Sequence, residues 1–510
     1  MRRTIWSLAK RYDVCVIGGG PAGIAAALRA CDFKKSACII EPSRIGGADF
    51  WNGALQSKTL WEMAKFSKVT QGKTAHRFLK STRPLPPIEH SRIMDSINKA
   101  ATMREAEVLH QLSLSCVDLL KGKGSFKTPN TVEVTKEDGS TDTVEADYFI
   151  IATGAEPRPH PTAIADGKVV FTSDDIMLHP FPKSIVIIGA GVIGCEFASI
   201  FANFDQTKVN VIEKTNRILP MEDEDISLFV QHLLQEKGVN FHHHSQMTKN
   251  RVEDGKFYYT LKDLRNGKEE EHVVDSTLVS IGRIPNVKPL NLEAIGVKLD
   301  QGRISRDDHN RVAPFKHIYA CGDVATRVAL VNVGEVEARS CIEHIYTPYP
   351  EDQLKVKLDN LSTIMFLDQE VAAVGLNEQQ CKKSNIAYKM ARYGYEFVSR
   401  ALSMGNTRGF VKILVTNDAR MQVLGVRAVG PHASSIIELA SLAIHNKESA
   451  YNLRGLRTAY PAVTNGFQEC LHMLLGSSTL KPNVFPQLVV EEWSPPNFER
   501  GRVYQQQKKK

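Results

Sequence analysis

Gly18-Gly19-Gly20-Pro21-Ala22-Gly23 interrupts an apolar run that begins at Tyr12 and resumes as an alanine-rich segment. Before it, Tyr12–Ile17 reads as a short buried strand. After it, Ile24–Ala30 reads as a helix, and Ala37–Ile40 as a second strand ending at Glu41, eighteen residues beyond Gly23. Strand, glycine turn, helix, strand and acid, in that order, make a dinucleotide-binding fingerprint. Gly18 admits the tight turn, Gly20 the close approach of a pyrophosphate, and Gly23 the close contact of helix and strand. The helix N-terminus contributes unpaired N–H groups and a partial positive charge. The Glu41 carboxylate is placed to accept hydrogen bonds from a ribose diol.

A second copy follows. Ser184–Ile188 is a strand, Gly189-Ala190-Gly191-Val192-Ile193-Gly194 a turn, and a helix runs on through Phe201. Val209–Ile212 is the next strand and ends at Glu213, nineteen residues after Gly194. Two fingerprints imply two bound dinucleotides. A carboxylate at Glu213 repels a 2′-phosphate and so favours NAD(H). Lys214 and Arg217 lie close by and keep NADP(H) as the lesser alternative.

The chain has 510 residues, too many for one core at roughly 100–200 residues per domain. A charged fraction of 24% beside 42% hydrophobic residues describes an ordinary globular protein. The net charge of +7 sits partly in the two end segments, so it does not argue for nucleic acid. No apolar run reaches the roughly 18 residues of a membrane span. The nine cysteines are scattered, with no CxxC or CxxxxC pair, which suggests free thiols in a reducing compartment. Residues 1–11 are basic, lack acids and place Ile5, Leu8 and Ala9 on one helical face. They resemble a short mitochondrial presequence, with a cytoplasmic protein carrying a basic tail as the alternative.

Between the two fingerprints lies Gly46-Gly47-Ala48-Asp49-Phe50-Trp51-Asn52-Gly53-Ala54-Leu55-Gln56-Ser57-Lys58. Further on come Phe149-Ile150-Ile151-Ala152-Thr153-Gly154, Ile281-Gly282-Arg283-Ile284-Pro285-Asn286 and Ile318-Tyr319-Ala320-Cys321-Gly322-Asp323. In this order and spacing the segments resemble the pyridine nucleotide–disulfide oxidoreductases, especially dihydrolipoamide dehydrogenase. Tyr460-Pro461 also resembles the corresponding segment of soluble pyridine nucleotide transhydrogenase, a relative that keeps more of the active-site loop. The likeness runs from about Tyr12 to Leu475. It implies an α/β fold with two Rossmann-like dinucleotide-binding domains, the FAD domain split by the NAD domain, and an α+β interface domain that makes a homodimer. The expected limits are 12–157 and 287–357 for FAD, 158–286 for NAD(P), 358–475 for the interface domain and 476–510 for an extension. Val484-Phe485 and Leu488-Val489-Val490 suggest that this extension docks, while the basic end reads as a solvated tail. By the same likeness Gly47, Thr153, Gly154, Gly282, Arg283, Gly322 and Asp323 belong to the cofactor sites, Asp323 on the ribityl chain.

The family writes its redox segment as Gly-Gly-x-Cys-x-Asn-x-Gly-Cys-x-Pro-Ser-Lys. Here Asp49 and Ala54 stand in place of the cysteines, and neither can form a disulfide. The family's proton-handling His-Pro-x-x-x-Glu is replaced as well, with Tyr460 for histidine and Asn465 for glutamate. Asn332 stands where the family usually has a histidine near the flavin. Lys58 and Glu196 match the lysine–glutamate pair beside flavin and nicotinamide. These residues lead to an FAD-dependent NAD(P)H oxidoreductase that hands electrons to a small non-dithiol acceptor: a second nicotinamide, a quinone or another oxidant. The rival readings are a non-catalytic homologue serving as a binding or assembly subunit, and an ordinary dihydrolipoyl dehydrogenase. No metal site is expected: in His242-His243-His244, neighbouring strand residues would face opposite ways.

Overall fold

The computed structural model describes residues 10–71, 86–348, 355–358 and 360–496. The possible presequence, apart from Lys10 and Arg11, and the polybasic end lie outside them. The chain divides into two compact units. One comprises residues 1–188, 248–260 and 270–356, the other 189–247, 261–269 and 357–510. The division falls at Ile188/Gly189, inside the second fingerprint.

The first unit is built on a parallel sheet in the order Asp118–Lys121, Ala37–Glu41, Lys10–Ile17, Thr141–Ile151, with Ile318–Ala320 beyond and two antiparallel strands, Thr131–Thr135 and Lys123–Thr128, alongside. Val14, Cys15, Val16, Phe149, Ile150 and Ile151 are all fully buried, which explains why these strands read as unbroken apolar runs: the sheet is covered on both faces. Each fully buried aliphatic side chain adds roughly 1.5–3 kcal/mol relative to exposure. On one face the alanine-rich helix Pro21–Asp32 packs with the helix Val331–Tyr346, through Ala22, Ala26 and Ala30 on one side and Ala338, Cys341 and Ile342 on the other.

Register then positions three motifs together. Ile17 is opposite Ile151, and Ile151 is opposite Ala320. The turns that follow, at 18–23, 152–154 and 321–323, therefore leave the carboxyl edge of the sheet side by side, where open α/β sheets bind ligands. The same unit holds a parallel set of Val170–Thr172, Ser276–Val279 and Ser184–Ile188, and a two-stranded ribbon of Ala155–Pro157 with Arg283–Pro285.

The second unit carries the helix Val192–Phe204, with parallel strands Lys208–Ile212 and Asn240–His242. It continues into a six-stranded antiparallel sheet: Thr363–Phe366, Glu370–Gly375, Val423–Val429, Phe410–Thr416, Tyr388–Gly394 and Val489–Trp493. The helices Ala433–His445 and Asn465–Leu474 supply Ile436, Ile437, Ala440, Phe467 and Leu471 to its core. The sixth strand comes from the extension, so its docking is resolved: Ala391 is opposite Val490, and Trp493 stacks on Tyr388 at 5.8 Å. Lys412, fully buried in a central strand, is neutralised by Asp225 at 2.6 Å, Asp223 at 2.7 Å and Glu378 at 2.9 Å. Burial alone would raise the Glu378 pKa, but the Lys412 ammonium brings it below its ordinary value. Among the described residues no helix is long and apolar enough to cross a membrane.

Candidate active site

The two acids at the strand ends are held in the same way. The Glu41 carboxylate accepts from the Gly19 amide at 2.8 Å and the Ser43 amide at 2.8 Å. The Glu213 carboxylate accepts from the Ala190 amide at 3.0 Å, the Thr215 amide at 2.9 Å and the Thr215 hydroxyl at 3.0 Å. Each acid thus braces its own glycine turn and keeps lone pairs for a sugar. A Cβ built on Gly20 or on Gly191 would meet nothing within 4 Å, so both turns leave open space at the helix N-terminus, where a pyrophosphate binds. Gly18, Gly23, Gly189 and Gly194 lie in these same turns.

The second flavin motif fits its group too. Asp323 is partly buried, and no side-chain hydrogen bond holds its carboxylate among the described residues. Burial raises its pKa, with Arg283 and Arg303 pulling the other way. Such an unsatisfied acceptor suits a ribityl hydroxyl. Its turn is fixed from behind: Glu337, 3% exposed, accepts from the Gly322 amide at 2.9 Å and pairs with Arg306 at 2.5 Å.

Thr153 and Arg283, assigned to the cofactors from sequence, are engaged with protein groups. The Thr153 hydroxyl donates to the Asn286 carbonyl at 2.8 Å, the Asn286 side chain donates back to the Thr153 carbonyl at 3.1 Å, and the Asn286 amide donates to the Gly154 carbonyl at 3.0 Å. This clasp closes the point where the chain leaves the first nucleotide-binding fold and returns to it. Arg283 donates to Asp174 at 2.7 Å and to the Ala155 carbonyl at 2.7 Å; Arg158, next to the ribbon, donates its amide to the Gly282 carbonyl at 2.9 Å.

The segment 46–58 lies directly on the first glycine turn. The Gly46 amide donates to the Gly19 carbonyl at 2.7 Å. Gly47 has φ +54°, and a Cβ there would come within 2.9 Å of Gly20 Cα, so glycine is required by the approach of one backbone to another. The short helix Gly47–Trp51 carries Asp49, and Ala54 opens the long helix Ala54–Gln71. At Gly53 between them, a side chain would collide with the Ala48 carbonyl. Trp51, where the family pattern has asparagine, donates its indole N–H to the Ile45 carbonyl at 2.8 Å and lies under the Arg44 guanidinium at 3.6 Å. Asn52 donates to Asp174 at 2.9 Å, which joins the segment to Arg283 through one carboxylate. Gln56, in the position of the family's proline, is 2% exposed, and its Oε1 has no hydrogen-bond partner among the described residues. A buried orphan of this kind costs about 1–3 kcal/mol.

Asp49 is partly buried. Desolvation raises its pKa; the Leu55 amide, Arg104 and Lys58 act against the rise, and Glu335 adds to it. Lys58 is partly buried and donates to the Ser57 hydroxyl at 3.4 Å. Glu196, 7% exposed in the helix after the second turn, accepts from the Phe366 amide at 2.9 Å.

The other altered segment has been rebuilt around its amide. The Asn465 side chain donates to the Thr458 hydroxyl at 3.0 Å and the Ala459 carbonyl at 3.1 Å, and accepts from the Ala462 amide at 2.9 Å. It closes the loop that presents Tyr460, which is 77% exposed and shares a hydrogen bond with Ser399 at 2.9 Å. Asn332 is exposed in the first turn of its helix.

The histidine run departs from its expected form. Only His242 lies in a strand; His243 and His244 form the turn after it, and His243 stacks on Phe241. Strand alternation is therefore not what separates them. The one carboxylate group spaced for a metal among the described residues, Asp223, Asp225 and Glu378, encloses the Lys412 ammonium. Asn52, Asp174, Asn286, Gln56 and Glu337 were not singled out from sequence. Asn286 closes the 281–286 motif, and its amide side chain at the return to the first fold is the signal for a clasp. Asp174 carries no local signal, because its partners are 122 and 109 residues away.

Residues 12–338 match the family described as pyridine nucleotide-disulphide oxidoreductase, and residues 361–471 match its dimerisation domain. The chain is similar to dihydrolipoyl dehydrogenase of Mycobacterium tuberculosis, with 31% identity over 474 residues covering 91% of this chain and 98% of that one. It is 30% identical to mitochondrial dihydrolipoyl dehydrogenase of Bos taurus over 464 residues, covering 90% and 89%. Among solved structures it resembles LpdA of Mycobacterium tuberculosis, with a TM-score of 0.81 and 26% identity, covering 91% of this chain and all of that one.

Proposed function

The chain belongs to the pyridine nucleotide–disulphide oxidoreductase family, whose members depend on FAD and NAD(H), and we propose that it passes electrons from NADH to an acceptor that is not a dithiol. The observation that carries this reading is the contrast between two sets of residues. Both nucleotide turns keep their bracing acids and open space, while all four positions of the thiol chemistry hold Asp49, Ala54, Tyr460 and Asn465. Neither a phenol nor an amide replaces a histidine–glutamate proton relay.

Bound FAD supplies a two-electron relay between nicotinamide and acceptor. The protein's part is to hold and polarise. Gly18–Gly23 and Glu41 take the FAD pyrophosphate and ribose; Gly189–Gly194 and Glu213 take those of NADH. Asp323 takes a ribityl hydroxyl, on a turn held by Glu337. Lys58 keeps positive charge beside the ring that receives electrons and so favours its reduced state. The dimerisation-domain match supports a homodimer, with the exposed Tyr460 loop offered to the partner subunit.

The test is to supply the purified flavoprotein with NADH and compare acceptors. Reduction of a quinone or of a thionicotinamide dinucleotide, with lipoamide at background, is the expected outcome. Brisk lipoamide turnover would instead assign the activity of the curated relatives.

A further inference from the structure

Losing the dithiol leaves a carboxylic acid, not an inert side chain, at the first of the two vacated positions. Asp49 sits two residues from the Gly47–Gly20 contact, so the backbone fixes it against the first nucleotide turn. The charged groups facing it come from every neighbouring helix: Lys58 of Ala54–Gln71, Arg104 of His90–Leu114, and Glu335 of Val331–Tyr346. No side chain hydrogen-bonds to its carboxyl among the described residues; Arg104 is occupied with Glu107 and with the Phe50 ring. The other vacated position, Ala54, contributes only a methyl group. Within the same segment the buried Gln56 Oε1, an acceptor, has no hydrogen-bond partner among the described residues; a quinone offers it no donor, but a hydroxyl of the quinol product does.

We propose that the vacated dithiol site binds a quinone and that Asp49 is the proton donor to it. This rests on the non-dithiol reading above and selects among its acceptors. A nicotinamide acceptor takes up a hydride alone and has no use for an acid. A quinone takes up a hydride and a proton together. In the net reaction the nicotinamide C4–H bond of NADH breaks, and its hydrogen and electron pair reach the quinone. The proton for the quinol comes from the Asp49 carboxyl, which regains one from solvent. NADH, a proton and quinone become NAD⁺ and quinol. Desolvation of Asp49 serves this by keeping the acid protonated at higher pH than an ordinary carboxyl.

The experiment compares two acceptors in one flavoprotein, a water-soluble para-quinone and thionicotinamide dinucleotide, and reads the ratio of their rates. Asp49→Asn is expected to lower that ratio at least tenfold, and Asp49→Glu to recover most of it. In the wild type quinone reduction falls as pH rises through the Asp49 pKa, while the Asn variant shows no such limb. A readout independent of turnover is infrared difference spectroscopy of wild type against Asp49→Asn, in which the protonated-carboxyl band disappears only above the ordinary carboxylate range. An unchanged ratio, an equal loss with both acceptors, or a band that titrates in the ordinary range would each overturn the assignment of Asp49 while leaving the non-dithiol reading in place. Failure of NADH to bleach the wild-type flavin would overturn both.

Discussion

The two glycine turns and the two thiol-side loops have been treated in opposite ways. At 18–23 and 189–194 an acid 22 or 23 residues downstream of a turn amide bonds back to it in the same manner, although the turns share little sequence beyond their glycines. At 46–58 and 458–465 the cysteines and the His–Glu pair of the family pattern are replaced, and polar groups are held by protein partners. Asn465 ties up its amide within its own loop, Asn52 is drawn to Asp174, and Trp51 is pinned under Arg44. The difference teaches that the frame and the chemistry of this fold are separable. Gly47 and Gly53 are fixed by backbone contacts that no other residue can make, whereas the reactive positions are constrained only by what they must react with.

The largest way to break the contrast is to remove a brace from the retained side. Glu213→Ala loses three charge-assisted hydrogen bonds and the acceptor for a ribose. At about 1.5–3 kcal/mol for a hydrogen bond to a charged group, NADH affinity should fall about ten- to hundredfold, read as its Kd by flavin-independent calorimetry. Unchanged affinity would mean that Glu213 does not face the nucleotide. Restoring the lost side is the converse test. Asp49→Cys with Ala54→Cys should add a second two-electron centre to the flavoprotein, yet lipoamide turnover should stay at background because Tyr460 and Asn465 remain. Appearance of turnover in that double variant would show that the C-terminal loop is not a barrier.

A smaller effect sharpens the account of that loop. Asn465→Ala deletes three hydrogen bonds of a partly buried amide and should cost about 1–3 kcal/mol in chemical denaturation, without slowing flavin reduction by NADH. Slowed reduction would return Asn465 to the chemistry. The smallest effect belongs to Tyr460→Phe. At 77% exposure with one hydrogen bond to Ser399, its loss should stay within about 0.5 kcal/mol of wild type. A larger change would place Tyr460 in a contact that the single chain does not contain.

Much of the fold was legible because burial writes itself into composition. Tyr12–Ile17, Ser184–Ile188 and Phe149–Ile151 are covered on both faces and so appear as plain apolar runs, and the glycine turns mark where they end. The sixth interface strand was less legible. Val489-Val490-Glu491-Glu492-Trp493 has no clean alternation, and its place depends on an open edge at Tyr388–Gly394 that local sequence does not reveal. Lys412 shows the same limit: a lysine in an apolar strand is explained only by carboxylates 34 to 189 residues away. In the site, the motif glycines and acids could be found by spacing. The Asn52–Asp174–Arg283 link and the Thr153–Asn286 clasp could not, because they join segments that meet only after the chain has folded.

The measurement that bears most directly on the central claim is an anaerobic titration of the purified flavoprotein with NADH, followed at the flavin absorbance. One NADH per flavin should complete the reduction, since no redox-active disulfide stands behind the ring. Consumption of two per flavin would reveal a further two-electron centre and contradict the account.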